Sequence, residues 1–140
     1  MAIVQFDTNK SVEQLDGDVW EGSDHPTNLV ERAHRFRKIP ISDLTIEQLR
    51  LLIGQNLGLK YLIPFAIRIL RDNILAEGDF YDGDLLDAVL NVDDHFWVEN
   101  QDLKKEVQLL ITEKQEDIEA RNEANIKRQL LKKIESFKDK

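Results

Sequence analysis

Residues 45–75, TIEQLRLLIGQNLGLKYLIPFAIRILRDNIL, decide the fold. Thr45 and Gln48 stand three apart ahead of an apolar run. At that spacing each side chain can satisfy the other residue's unpaired backbone N–H at a helix start. Ile46, Leu49, Leu52, Ile53 and Leu57 follow as one stripe at helical period, and Gly58 stands where a left-handed C-cap is wanted. From Leu59 to Leu75 the pattern is apolar nearly all round, with Tyr61, Leu62, Ile63, Phe65, Ala66, Ile67, Ile69 and Leu70. A helix of that kind is central and buried. Pro64 fits if this helix begins near Tyr61, because the earliest positions have no intrahelical bond to lose; a helix that begins sooner is expected to kink there.

Working outward, Leu29, Val30, Ala33 and Phe36 recur at helical spacing behind a His25-Pro26-Thr27 turn, and the pattern stops before Pro40. The residues before Asp24 hold only short apolar pieces (Ile3, Val4, Phe6; Val12, Leu15; Val19, Trp20), read as a short helix or loops with room for one brief strand. On the other side, Glu77 to Gly83 reads as a loop, and Asp82 is placed to cap a short helix bearing Leu85, Leu86, Val89 and Leu90. Trp97 is expected in the core. Asn100 is placed to cap a helix with the stripe Leu103, Val107, Leu110 and Ile111, and a last stripe runs through Ile118, Ile126, Leu130, Ile134 and Phe137. One unbroken helix from Asn100 would be roughly 50 Å long at 1.5 Å per residue, so two helices or a bend are expected where the pattern thins, from Thr112 to Asp117. The lysine-rich end suits the negative pole of a helix dipole. The fold class is all-α: one compact domain over residues 1–140, with six to eight helices.

The bulk composition, 41% hydrophobic and 33% charged over 140 residues, is that of a globular domain able to bury a core. With no cysteine there is no disulfide framework, thiolate nucleophile or cysteine zinc site. Met1 to Lys10 shows no basic start followed by a long apolar run, and the apolar stretch Leu57–Leu70 is broken by Gly58, Lys60, Pro64 and Arg68. No signal peptide and no membrane span are expected, and the cytoplasm is the expected address. A net charge of −8 disfavours nucleic acid and anionic membranes as partners.

No arrangement of residues reads as an active site. His25, His34 and His95 fit no metal-binding spacing, the serines have no G-x-S-x-G context, and the six glycines form no phosphate loop. An EF-hand starting at Asp79 fails at Tyr81, Gly83 and Leu90. Capping is the better reading of Asp82, and no cofactor or metal is expected. A carboxylate pair could serve acid–base chemistry, but that needs a cleft and a carboxylate of raised pKa.

The charge is concentrated. Asp72 to Glu106 holds eleven acids against two lysines, whereas Glu31 to Arg71 holds eight basic residues and three acids. A solvated face is the plainer reading of the acidic block. The functional one is an electrostatic dock for a basic partner, favoured because such crowding repels itself in the folded state. Tyr81 and Asp87 lie within the block, and an exposed Tyr81 would suit an interface anchor.

Residues from about Trp20 to Trp97 resemble an immunity-protein family of bacterial contact-dependent growth inhibition (CDI) systems. The likeness is carried by Leu29-Val30-Glu31-Arg32, Arg37-Lys38-Ile39-Pro40, the run Glu47 to Gln55, Leu62-Ile63-Pro64-Phe65-Ala66 and the run Glu77 to Leu86. The resemblance implies a non-enzymatic cytoplasmic antidote; a monomer rather than an oligomer is expected for the free chain. It would bind the C-terminal domain of its cognate toxin, a basic domain and often a nuclease. Strings shared across such a family are expected to hold the fold, which makes Asp79, Asp82 and Asp84 caps and turn residues. The acids beyond them, Asp93, Asp94, Glu99, Asp102 and Glu106, are the expected partner contacts, with Tyr81 and Asp87 beside them. Asp102 and Glu106, four apart, share a helix face. A helical adaptor with no toxin partner is the alternative.

Overall fold

Thr45 and Gln48 close the expected box: the Thr45 hydroxyl accepts the Gln48 N–H at 3.1 Å, and the Gln48 side-chain oxygen accepts the Thr45 N–H at 2.9 Å. The computed structural model describes residues 6–17, 27–120 and 124–139, without the side chains of 124–127. The sequence readings at Ile3, Val4, Val19, Trp20, His25, Pro26 and the Ile126 side chain lie outside the described residues. Within them the α-helices are α1 (Val12–Asp16), α2 (Asn28–Phe36), α3 (Ile46–Gly54), α4 (Leu59–Asp72), α5 (Asp84–Leu90), α6 (Asp94–Glu99), α7 (Gln101–Glu113), α8 (Gln115–Glu119) and α9 (Ala124–Lys138). Six of these have seven or more residues, and the described residues contain no strand. Among the described residues, the brief strand allowed for near the N-terminus is represented by an isolated bridge between Ser11 and Pro40.

The turn between α3 and α4 departs from expectation. Helix α3 ends at Gly54, with Gln55 as its C-cap, and Asn56 takes the left-handed conformation (φ 57°). Gly58 is the N-cap of α4, not the C-cap of α3. It still has to be glycine: φ is 60°, and a β-carbon would come within 2.9 Å of Val12 Cγ1 on α1. Asn56 can take the earlier turn because Asn tolerates that conformation, and its side-chain oxygen accepts the Asp93 N–H at 3.2 Å. Helix α4 thus starts two residues before Tyr61 and runs on to Asp72 through Pro64. The carbonyl that Pro64 leaves without its helical donor belongs to Lys60, an exposed residue.

Helix α4 is buried as its pattern demands, along Leu59, Leu62, Ile63, Pro64, Phe65, Ala66, Ile67 and Leu70. Helix α5 is buried more completely: all seven of its residues, Asp84 and Asp87 included, are inside. It packs on α3, α4 and α9. Trp97 is in the core as expected, edge-on to both Phe96 and Phe137 at 5.2 Å between ring centroids. On α2 only Ala33 and Phe36 turn inward; Leu29 and Val30, expected on the same stripe, are exposed.

The segment after Asn100 breaks as its length requires, at Lys114 and again where α8 ends at Glu119 with Ala120 as its C-cap. Two expected caps are not made. Asn100 precedes α7 without capping it and donates from Nδ2 to the Phe96 carbonyl at 2.9 Å. Gly83, not Asp82, is the N-cap of α5, at φ 92°. A carboxylate one residue further on organises this loop from within.

Candidate functional site

That carboxylate is Asp84, 3% exposed. One of its oxygens accepts the Gly78 N–H at 2.6 Å and the other the Phe80 N–H at 3.1 Å. The amide between them, on Asp79, donates to Glu47 Oε1 at 3.0 Å. Three consecutive loop amides are thus held by two carboxylates, one from α5 and one from the first turn of α3. Gly78 is required by the close approach, since a β-carbon there would come within 2.6 Å of Glu47 Oε1 and 3.2 Å of Glu47 Cα. Glu47 is in turn gripped by Arg50, whose Nε and Nη2 donate to its two oxygens at 2.7 and 2.6 Å. The Arg50 hydrogen bond, supported by the Asp79 N–H and against the pull of desolvation, holds the Glu47 carboxyl below its ordinary value; the same bond raises Arg50. The Arg50 guanidinium lies 4.5 Å from the centroid of the Phe80 ring. That ring is 67% exposed.

Tyr81 and Asp87 meet directly. The Tyr81 hydroxyl donates to Asp87, Lys133 of α9 donates to its other oxygen, and Asn91 Nδ2 donates to it at 3.1 Å. Asp87 is buried, so its charge is balanced inside the molecule by Lys133. Glu106 is likewise engaged, with Arg71 at 3.2 Å. It shares a helix with Asp102, but Asp102 is exposed where Glu106 is half-buried.

The other four expected contacts are exposed and straddle α6, a helix about 9 Å long at 1.5 Å per residue. Asp93 is its N-cap, accepting the His95 N–H at 3.1 Å, and Asp94 is in its first turn. Glu99 ends it, 3.1 Å from His95 Nε2, and Asp102 lies in the first turn of α7. Asp93 and Asp94 line an open groove of about 370 Å³ with Asn91, Val92, Lys133 and Ser136. Glu99 and Asp102 line another of about 420 Å³ with Asn100, Gln101 and Leu103. Near Phe80 a groove of about 320 Å³ is lined by Arg50, Gly54, Tyr81, Asp87, Ala88 and Asn91, so Asn91 borders both this groove and that of Asp93 and Asp94.

Sequence reasoning did not single out Phe80. The signal that could have found it is an aromatic residue inside a run of turn-forming Gly and Asp. Among the described residues, no group of three or more His, Cys, Asp or Glu side chains is placed to hold a metal, and no helix is long and apolar enough to cross a membrane.

A family model described as CDI immunity proteins matches residues 14–107, from α1 into α7, which includes the Glu47–Asp84 cradle and all four exposed acids around α6. No curated protein matches the chain.

Proposed function

The chain belongs to the family of CDI immunity proteins, and from that premise we propose that it neutralises one cognate toxin by binding the toxin's C-terminal domain in the cytoplasm, without catalysis of its own. Toxin neutralisation is what membership of the family implies. The toxin domain we propose is basic and acts as a nuclease: an enzyme that holds a phosphate backbone needs a cationic cleft, and a carboxylate face can occupy such a cleft. Asp93, Asp94, Glu99 and Asp102 form that face. Glu106, Asp87 and Tyr81 are each bonded to another part of the fold and are less free to meet a partner.

The observation that carries the reading is the family match together with four exposed acids on one short helix and its flanks. Calorimetry with the toxin domain encoded beside this gene is expected to show a one-to-one complex of nanomolar affinity or tighter, about −12 kcal/mol. Changing Asp93 and Asp94 together to lysine should slow association about tenfold at low salt and alter dissociation less. A toxin domain that does not bind removes the reading. Unchanged rates in the double variant move the interface away from α6.

A further inference from the structure

Phe80 is a large apolar ring on the surface, and the fold holds it there. Phenylalanine is ordinarily a core residue, and nearby Leu85, Leu86 and Val89 are fully enclosed. The amides of Gly78, Asp79 and Phe80 are all bonded to Asp84 or Glu47, so the loop has little freedom to fold the ring inward. One face of the ring stacks on the Arg50 guanidinium, which Glu47 clamps through two hydrogen bonds. An exposed aromatic side chain in a pre-set orientation is the kind of residue that dominates binding energy at protein interfaces, because little entropy remains to be lost on contact.

The surroundings indicate what would lie on it. Asp79 is exposed beside the ring, and both its carboxylate and that of Asp84 are within electrostatic reach of Arg50. The adjoining groove shares Asn91 with that of Asp93 and Asp94, so the exposed acids of α6 lie along the same stretch of surface. We propose that Phe80 is the apolar anchor of the toxin interface: a Lys- or Arg-bearing segment of the toxin domain lays its aliphatic stem over the ring, with its charge toward Asp79. This inference rests on the toxin-binding reading and extends the interface from α6 across Asn91 to the loop before α5. A long basic side chain suits the site because its stem is apolar and its head cationic.

The test uses the full chain and the toxin domain encoded beside this gene. Phe80→Ala is expected to speed dissociation by about 30-fold or more, the range of interface hot spots. Its melting temperature should stay near wild type, since the ring is mostly exposed. Phe80→Tyr keeps the ring and should stay within about threefold of wild type. Asp79→Lys leaves the ring in place and should weaken the complex about fivefold or more, mainly through slower association. Leu109→Ala removes a side chain of similar exposure, 62%, on α7 and should leave both rates unchanged. Wild-type binding retained in Phe80→Ala would overturn the proposal and leave the toxin-binding reading standing. So would a wild-type dimer that Phe80→Ala converts to monomer, because the ring would then be a contact between copies. Failure of the wild type to bind would instead remove the parent reading, and this inference with it.

Discussion

Replacing Asp84 tests the principle on which the exposed loop is built. In Asp84→Ala the Gly78 and Phe80 amides lose their acceptor. An amide left buried without a partner costs about 1–3 kcal/mol. The two losses are reduced because the loop's outer residues reach water, so a total near 3 kcal/mol is expected. For a chain of 140 residues the unfolding entropy makes 1 kcal/mol worth roughly 3 °C, so the melting temperature should fall by about 10 °C. Asp84→Asn keeps one acceptor and turns an NH₂ toward the other amide; about 2 kcal/mol and roughly 6 °C are expected. Glu113→Gln, an exposed charge on α7, should stay within about 0.5 kcal/mol of wild type. Urea denaturation gives the free energies, and amide hydrogen exchange locates them: exchange at residues 78–80 should quicken in both Asp84 variants well before the core of α4 responds. A stable Asp84→Ala with unchanged exchange at these amides would refute the argument that carboxylates hold the loop.

The Glu47 carboxyl titrates below its ordinary value because Arg50 bonds its charged form. Its contribution is therefore complete above the unfolded-state value near 4.5 and is lost as pH falls through the lowered one, so the penalty of Glu47→Gln in urea midpoints should be largest at pH 7 and shrink below about pH 4. Tyr81→Phe removes a hydrogen bond to a charged acceptor and should cost about 1.5–3 kcal/mol in denaturant, with toxin affinity changed by less than about twofold. Gly83→Ala should cost more than Gly17→Ala in a thermal melt. Both glycines have positive φ, but a β-carbon at Gly83 also comes within 3.1 Å of Leu75 and Leu130, whereas nothing lies within 4 Å at Gly17.

Features that depend on neighbours in sequence were legible in it. The Thr45–Gln48 box, the buried α4 and the break after α7 each follow from spacings of a few residues. Ser11 and Gln14 make a second such box, with Gln14 N–H on the Ser11 hydroxyl at 3.2 Å, from the same three-residue spacing in a stretch read as a short helix or loops. Features decided by distant partners were not legible. Asp82 and Asp84 both suit a cap in a Gly-Asp-rich loop; Asp84 takes the Gly78 and Phe80 amides, and the Asp79 amide between them goes to Glu47, 32 residues away on α3. Asp87 looks like a surface acid on an acidic stretch until Lys133, 46 residues later, is placed against it. Phe80 runs against the rule that apolar residues go inside, and only the pinned amides around it explain why.

The Asp87–Lys133 bond joins a residue inside the family-matched stretch to one well beyond it. A chimera that kept residues 1–107 and took its tail from another protein would bury Asp87 without a counter-ion unless the new tail carried a cation at the position of Lys133. Leu130 is constrained in the same way from the other side, because it rests against Gly83 at the head of α5. Exchange of the tail alone is therefore expected to keep the fold only where the incoming helix supplies both a cation for Asp87 and a side chain that fits against Gly83.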